Sequence, residues 1–248
     1  MSKYPIKDKV VLITGASRGI GLALVEAFLE SESAKVYAAV RTLETAQPLV
    51  DKYKDRVVPL YMDLNKAESI TAAAGIATDV DIVINNAGIL SYTTPTASDA
   101  VAQLQHEMEV NVYGFIHVAQ AFAPLLKEGG ILCQINSVGS LRCPIPSVST
   151  YAASKAAAFT MTQALRTSLK EQGTFVMSVH PGPVATDMIS QRGDLKRADI
   201  ASADSVAKEV VKSMQAGEFL CFPDELSKSL SKAYQPFADY VFEQGNVY

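Results

Sequence analysis

The chain has no uninterrupted apolar run approaching the roughly 18 residues that a helix needs to cross a bilayer, so no bilayer-spanning helix is expected. It has no basic tail or block either. Its net charge of −4 arises from interspersed acids and bases, which argues against nucleic acid or an acidic membrane surface as a partner. Cysteine is scarce: Cys133, Cys143 and Cys221 are far apart, odd in number and without CxxC spacing. Neither a zinc site nor a disulfide framework is indicated, and no metal ligands are assigned. Cys133 and Cys221 lie in apolar runs and read as small core residues, whereas Cys143 falls in a loop. There is no internal repeat, no low-complexity segment and no linker rich in Gly, Ser or Pro, so residues 1–248 read as one domain. The opening MSKYPIKDKVVLITG lacks an apolar stretch ahead of a small-residue cleavage site, and the expectation is a cytoplasmic protein.

What is present is apolar material in a regular rhythm. Hydrophobic residues make up 48% of the 248, enough for a large core. Short β-like runs occur at 9–14 (KVVLIT), 35–40 (KVYAAV), 56–61 (RVVPLY), 81–85 (DIVIN), 130–136 (GILCQIN) and 174–180 (TFVMSVH). Several are rich in Val and Ile without strict alternation, as in strands buried on both faces. Helical stretches lie between them near 19–31, 43–54, 66–76, 97–127 and 151–172. Such alternation predicts an α/β fold, a parallel sheet wrapped by helices on both faces. After 180 the rhythm breaks. A polar segment over 188–203 reads as a substrate loop, a short helix follows near 203–215, and the tail 224–248 is placed over the core or against a partner subunit.

Residues 14–21, TGASRGIG, lie directly after a strand and directly before a helix. A glycine-rich turn there brings backbone N–H groups to a pyrophosphate at a helix N-terminus. Gly15 permits the tight turn, Gly19 the approach of the ligand, and Gly21 the packing of helix on strand. The spacing is GxxxGxG rather than GxGxxG, and its strand-turn-helix setting carries the assignment. Where the second strand ends, in AAVRT, a cofactor with a free ribose 2′-OH is usually met by an acid. Here Val40 is apolar and Arg41 follows, while Arg18 in the glycine loop can close on the same group. Two guanidinium groups without a competing acid favour a 2′-phosphate, hence NADP(H).

Residues 151–155, YAASK, open a helical stretch, and the i, i+4 spacing puts Tyr151 and Lys155 on one face. A phenol with its ordinary pKa of about 10 exchanges protons poorly at neutral pH. A fixed ammonium beside it favours the phenolate, so Lys155 is expected to lower the Tyr151 pKa and make it a general acid/base. The pair alone is a common helical spacing, and its context decides.

That context, in order, is TGASRGIG, NNAG at 85–88, Asn111, Ser137, Tyr151 with Lys155, and PGPVAT at 181–186. Over roughly residues 8–187 the chain resembles the short-chain dehydrogenases/reductases. The resemblance implies a Rossmann-type doubly wound sheet of about seven mostly parallel strands. It also implies carbonyl/alcohol redox chemistry with a nicotinamide cofactor. By that likeness Ser137 would hydrogen-bond the substrate oxygen, and Asn111 would hold a water in a proton relay to Lys155. Lys155 would also bind the nicotinamide ribose. Asp63 and Leu64 would bracket the adenine. Asn86, Ala87 and Gly88 would pack beneath the cofactor. Ser17, Arg18 and Ile20 would contribute from the phosphate loop, Val184 and Thr186 would hold the nicotinamide carboxamide, and Pro181 and Gly182 would contact the cofactor beside them.

Together these give hydride transfer between NADP(H) and a carbonyl or alcohol, with Tyr151 moving the proton. The alternative is a non-catalytic NADP(H)-sensing protein of the same fold, which has no need to keep Asn111, Ser137, Tyr151 and Lys155 together. The substrate is expected to be a moderately apolar ketone, aldehyde or secondary alcohol. Its pocket would draw on Ser91, Tyr92, the loop around Leu141, Pro144 and Ile145, and the segment from Met188 to Ile200. No group stands out as a carboxylate or phosphate anchor; Arg142 and Arg192 are the candidate exceptions, and the safer reading of both is exposed loop arginines. The resemblance also implies a homodimer or homotetramer, paired through the helices at 97–127 and 151–172.

Overall fold

A computed structural model describes residues 2–189 and 200–239. Arg192, the rest of 190–199 and the tail beyond 239 lie outside the described residues. Seven strands form one parallel sheet: β1 (Val10–Thr14), β2 (Lys35–Val40), β3 (Val57–Tyr61), β4 (Ile82–Asn85), β5 (Ile131–Ile135), β6 (Phe175–Val179) and β7 (Leu220–Cys221). Their order is β3-β2-β1-β4-β5-β6-β7, which is the expected doubly wound arrangement.

The lack of apolar/polar alternation has a direct cause, because each strand from β1 to β6 feeds two cores. Val11, Ile13, Ile82, Ile84, Ile131, Cys133 and Met177 point to one face, where they meet α1 (Gly19–Glu30), α2 (Gln47–Tyr53) and α7 (Ala203–Ala216). Leu12, Val83, Leu132 and Val176, one residue out of step, point to the other. There they meet α3 (Ala67–Ile76) and the helices between β4 and β5. A period of two with both phases apolar reads in sequence as a continuous hydrophobic run.

The strand order reverses between β1 and β4, and ligands bind at such a switch point beyond the carboxyl ends of the strands. The glycine loop leaves β1 there, and NNAG leaves β4 beside it. The stretch expected as one helix over 97–127 is α4 (Ala100–Met108), a wider π-type turn (Glu109–Tyr113) and α5 (Gly114–Phe122). Tyr151 and Lys155 ride on α6 (Ser149–Ser168). The last helix among the described residues is α8 (Glu225–Ala238). Among the described residues no helix is long and apolar enough to cross a membrane.

Candidate active site

Gly15 and Gly19 have φ of +66° and +55°, which L side chains rarely adopt. A Cβ on Gly21 would overlap the Gly15 carbonyl and come within 2.7 Å of Asn86 Nδ2, so only glycine lets α1 start against this loop. The loop is fixed from β4: Asn86 Nδ2 donates to Thr14 O at 2.9 Å, and Thr14 Oγ1 accepts from Asn86 N and Ala87 N. At the start of α1 no side chain caps the helix. Its first N–H groups are therefore available to an anion, as a pyrophosphate cradle requires. The residues present thus fit a dinucleotide.

A cleft of about 390 Å³ runs from this cradle to α6. Gly15, Ser17, Arg18, Gly19 and Ile20 line one end together with Arg41, Asp63 and Leu64. Asn86, Ala87 and Gly88 lie along its middle. Ser137, Tyr151 and Lys155 meet Pro181, Gly182, Val184 and Thr186 at the other end. Two expected residues stand behind the wall, Gly21 in the packing described above and Asn111. Leu64 is held from below by Gly114, where a Cβ would come 2.7 Å from Leu64 Cβ. Arg41 is exposed at the rim, and so is Arg18. Its Nη1 lies 3.0 Å from Asp187 Oδ2, an exposed ion pair across the mouth of the cleft. Such a pair is weak and salt-sensitive.

Tyr151 and Lys155 are successive turns of α6, with the ammonium 5.9 Å from the phenol ring centroid. Lys155 is buried, donates to Ile135 O at 2.8 Å, and is pushed down to about 8 by desolvation. The expected lowering of the Tyr151 pKa by Lys155 is not what the surroundings impose. Desolvation pushes the phenol up to about 12, the nearby Glu107 and Tyr92 push the same way, and the hydrogen bond with Ser137 pulls it back. Ser137 Oγ accepts from Gly139 N at 3.0 Å, which leaves its proton for an acceptor in the cleft.

The Asn111 amide bonds to the protein through both its oxygen and its nitrogen. Oδ1 accepts from Ile89 N at 2.9 Å, while Nδ2 donates to Ile89 O and to Ser154 Oγ at 3.0 and 2.9 Å. It ties the π-type turn to the segment after β4 and to α6. Gly88 makes room for this, since a Cβ there would lie 3.0 Å from Asn111 Oδ1 and 3.4 Å from Lys155 Nζ.

Leu90, Pro144, Val148, Met188, Leu226 and Leu230 make part of the lining apolar, with Arg142 beside them. Leu141 and Ile145, expected there, are not part of the lining. Neither are Ser91 and Tyr92: Ser91 N donates to Glu107, and the Tyr92 hydroxyl donates to Met188 O at 3.3 Å. The two leucines of α8 were not anticipated. Asp224 brings them in by capping α8 through Ser227 N while accepting from Gly182 N at 2.7 Å. Its signal in sequence is the D-x-x-S pattern that opens an amphipathic stretch. Glu107, fully buried, was also missed because helical spacing alone gives it no role.

The model of the short chain dehydrogenase family matches residues 9–196. The chain is 32% identical over 230 residues to an uncharacterized oxidoreductase of Staphylococcus aureus, covering 88% of this chain and 98% of that one. It is 29% identical over 215 residues to estradiol 17-beta-dehydrogenase 2 of Rattus norvegicus, with 83% of this chain covered. It spans only 56% of that rat enzyme. It also spans 41% of a 27% identical short-chain type dehydrogenase/reductase of Sinorhizobium fredii. Among solved structures, a short chain dehydrogenase of Burkholderia cenocepacia in complex with NADP superposes with a TM-score of 0.82 at 30% identity. That match covers 95% of this chain and 98% of the other. With the cradle, the switch-point cleft and the seven-stranded sheet, these likenesses place the chain in the short-chain dehydrogenase/reductase family of nicotinamide-dependent oxidoreductases.

Proposed function

We propose that the chain is an NADP(H)-dependent reductase or dehydrogenase that interconverts a carbonyl and an alcohol. The observation that carries this reading is the meeting of Ser137, Tyr151 and Lys155 at the end of a cleft whose other end is a phosphate cradle. The Gly15–Gly21 loop and the uncapped start of α1 would hold the pyrophosphate. Asp63 and Leu64 would hold the adenine, and Pro181 to Thr186 the nicotinamide end. When bound, the dinucleotide supplies or takes up a hydride.

The protein's own part is polarisation and proton transfer. The Ser137 hydroxyl donates to the carbonyl oxygen and stabilises the charge that develops there. The Tyr151 phenol, held protonated by its surroundings, delivers its proton to that oxygen in reduction. In oxidation the phenolate must form first, so that direction gains with rising pH. The buried Lys155 ammonium would orient the ribose. The apolar end lined by Leu90, Val148, Leu226 and Leu230 excludes water and suits a ketone, aldehyde or secondary alcohol with an apolar substituent. Arg41 at the rim, with no acid taking the place of Val40, supports NADP(H) over NAD(H). We also read the chain as a homo-oligomer, since the α4 to α5 stretch carries the exposed Val101 and Tyr113.

The test is a carbonyl and alcohol panel with NADPH and NADH, run on the wild type, Tyr151→Phe and Arg41→Ala. Turnover with NADPH, a loss of at least about 100-fold in the first variant and a weakened NADPH preference in the second are expected. Binding of NADPH without turnover of any substrate would favour the sensing alternative, and full activity in Tyr151→Phe would refute the mechanism.

A further inference from the structure

His180 follows β6 and precedes the Pro181–Thr186 loop, and it is completely buried. The ring packs edge-on against Phe159, at 4.6 Å between centroids, and stacks on Phe222 at 5.3 Å. Nδ1 lies 2.9 Å from Ser140 Oγ and 3.3 Å from the Ser137 carbonyl oxygen, and Nε2 lies 2.8 Å from Ser178 Oγ. Ser140 Oγ also donates to the Ser137 carbonyl. Ser178 Oγ accepts from Asn136 Nδ2 at 2.9 Å.

Counting protons gives these bonds one direction. The Ser137 carbonyl can only accept, and the single Ser140 proton is already directed to it. Nδ1 must therefore carry the ring proton and donate it to Ser140 Oγ and the Ser137 carbonyl. Nε2 is then bare and accepts from Ser178, whose oxygen accepts from Asn136. Burial pushes the imidazole down to about 4, with the Lys155 charge acting in the same sense, so the ring stays neutral at physiological pH. Main-chain bonds bracket the same point, Asn136 N to Val179 O at 2.8 Å and Val138 N to Pro181 O at 3.0 Å. Ser137 thus sits between two backbone clamps to β6 and its extension, and its own carbonyl is held by a histidine on that same stretch.

We propose that His180 is a positioning residue: as the neutral Nδ1–H tautomer it ends a one-way hydrogen-bond chain on the Ser137 carbonyl and thereby aims the Ser137 hydroxyl. This rests on Ser137 acting at the substrate oxygen, as proposed above. Because His180 runs directly into Pro181, the same ring also sets Ser137 relative to the loop that would hold the nicotinamide. In the sequence a histidine ending an apolar strand carries no pattern of its own.

Three variants separate positioning from mere packing. In His180→Asn the amide nitrogen falls near the place of Nδ1 and can still donate toward Ser140 and Ser137. In His180→Gln the amide reaches the place of Nε2 instead, and His180→Phe keeps only the packing. The expected result is a loss in kcat of about 10- to 100-fold for the Gln and Phe variants. NADPH affinity by fluorescence titration should stay near that of the wild type, and Asn should recover most of kcat. In a Ser137→Ala background the His180→Gln change should cost little further, because the residue acts through Ser137. Full multiplicative losses in that cycle, or equal losses in the Asn and Phe variants, would overturn the proposal.

A second arm needs no substrate. The chain has three histidines, and ¹⁵N spectra of ring-labelled protein, assigned with His180→Asn, should show one Nδ1–H ring that does not titrate between about pH 5.5 and 8. A wild type without turnover would count against the carbonyl–alcohol reading alone. An Nε2–H ring at His180 would overturn the brace in either case.

Discussion

Removing the Asp224 carboxylate should loosen the Leu226 and Leu230 wall of the cleft without touching Ser137, Tyr151 or Lys155. One oxygen caps α8 through Ser227 N at 2.9 Å, and the other accepts from Gly182 N at 2.7 Å. The Ser227 hydroxyl and the Asp224 main chain complete a capping box. In Asp224→Ala the lost cap is worth about 1 kcal/mol, and the Gly182 N–H left without its partner adds about 1–3 kcal/mol. A total near 2–4 kcal/mol corresponds to a fall in Tm of about 5–15 °C for a domain of this size. Asp224→Asn keeps the shape but has a single acceptor oxygen, so one of the two N–H groups faces an NH₂ instead. It should therefore be intermediate rather than neutral. Leu226 and Leu230 reach the cleft only from α8. KM for a substrate with a large apolar substituent should rise several-fold, with kcat less affected. Thermal melts followed by circular dichroism, amide exchange over residues 225–235 and steady-state kinetics read the three effects separately. An Asp224→Ala protein that melts within about 1 °C of the wild type, with unchanged exchange in α8, would refute the argument.

Two further perturbations act elsewhere in the cleft. Gly114→Ala forces a Cβ to 2.7 Å from Leu64 Cβ and 3.0 Å from Leu64 O, so α5 or the Leu64 segment must shift. A destabilisation of about 1–3 kcal/mol with weakened NADPH binding is expected by melting and fluorescence titration, and tight binding at full stability would contradict it. Glu107 is buried, one of its carboxylate oxygens lacks a partner, and burial raises its pKa. A carboxyl raised in the folded state binds a proton that the unfolded chain has lost, so stability falls as pH rises from its ordinary value through the raised one. Glu107→Gln should abolish that slope and, by removing a charge that holds the Tyr151 phenol up, move the alkaline rise of alcohol oxidation to lower pH. A profile that stays in place or moves to higher pH would show that the two groups do not interact.

What the sequence made legible follows from locality. The glycine loop, NNAG and the YxxxK pair each act within one turn or one strand end, so their spacing, read with the strands and helices beside them, is enough to place them at the cleft. The sheet was equally readable, because strands that supply two cores must be apolar in both phases. Asp224, Gly114 and His180 escaped because their partners lie far off in sequence: Gly182, Leu64, and Ser137 with Ser140. The break in the helix over 97–127 escaped for a related reason, since it is held by Asn111 bonding to Ile89 across a loop. Arg18 was assigned to a phosphate by charge type. In the structure it meets Asp187, and an exposed guanidinium exchanges such partners at small cost.

The π-type turn at Glu109–Tyr113 carries a mechanical consequence. One extra residue per turn rotates everything after it by about 100° about the helix axis. Before the turn, α4 faces α6, and its Glu107 holds the Ser91 backbone near the substrate end. After it, α5 faces α3, and its Gly114 lies under Leu64 at the Asp63–Leu64 end. A regular helix of the same length could not present both faces. The offset turns a single rod into a crankshaft whose two throws reach opposite ends of one cleft.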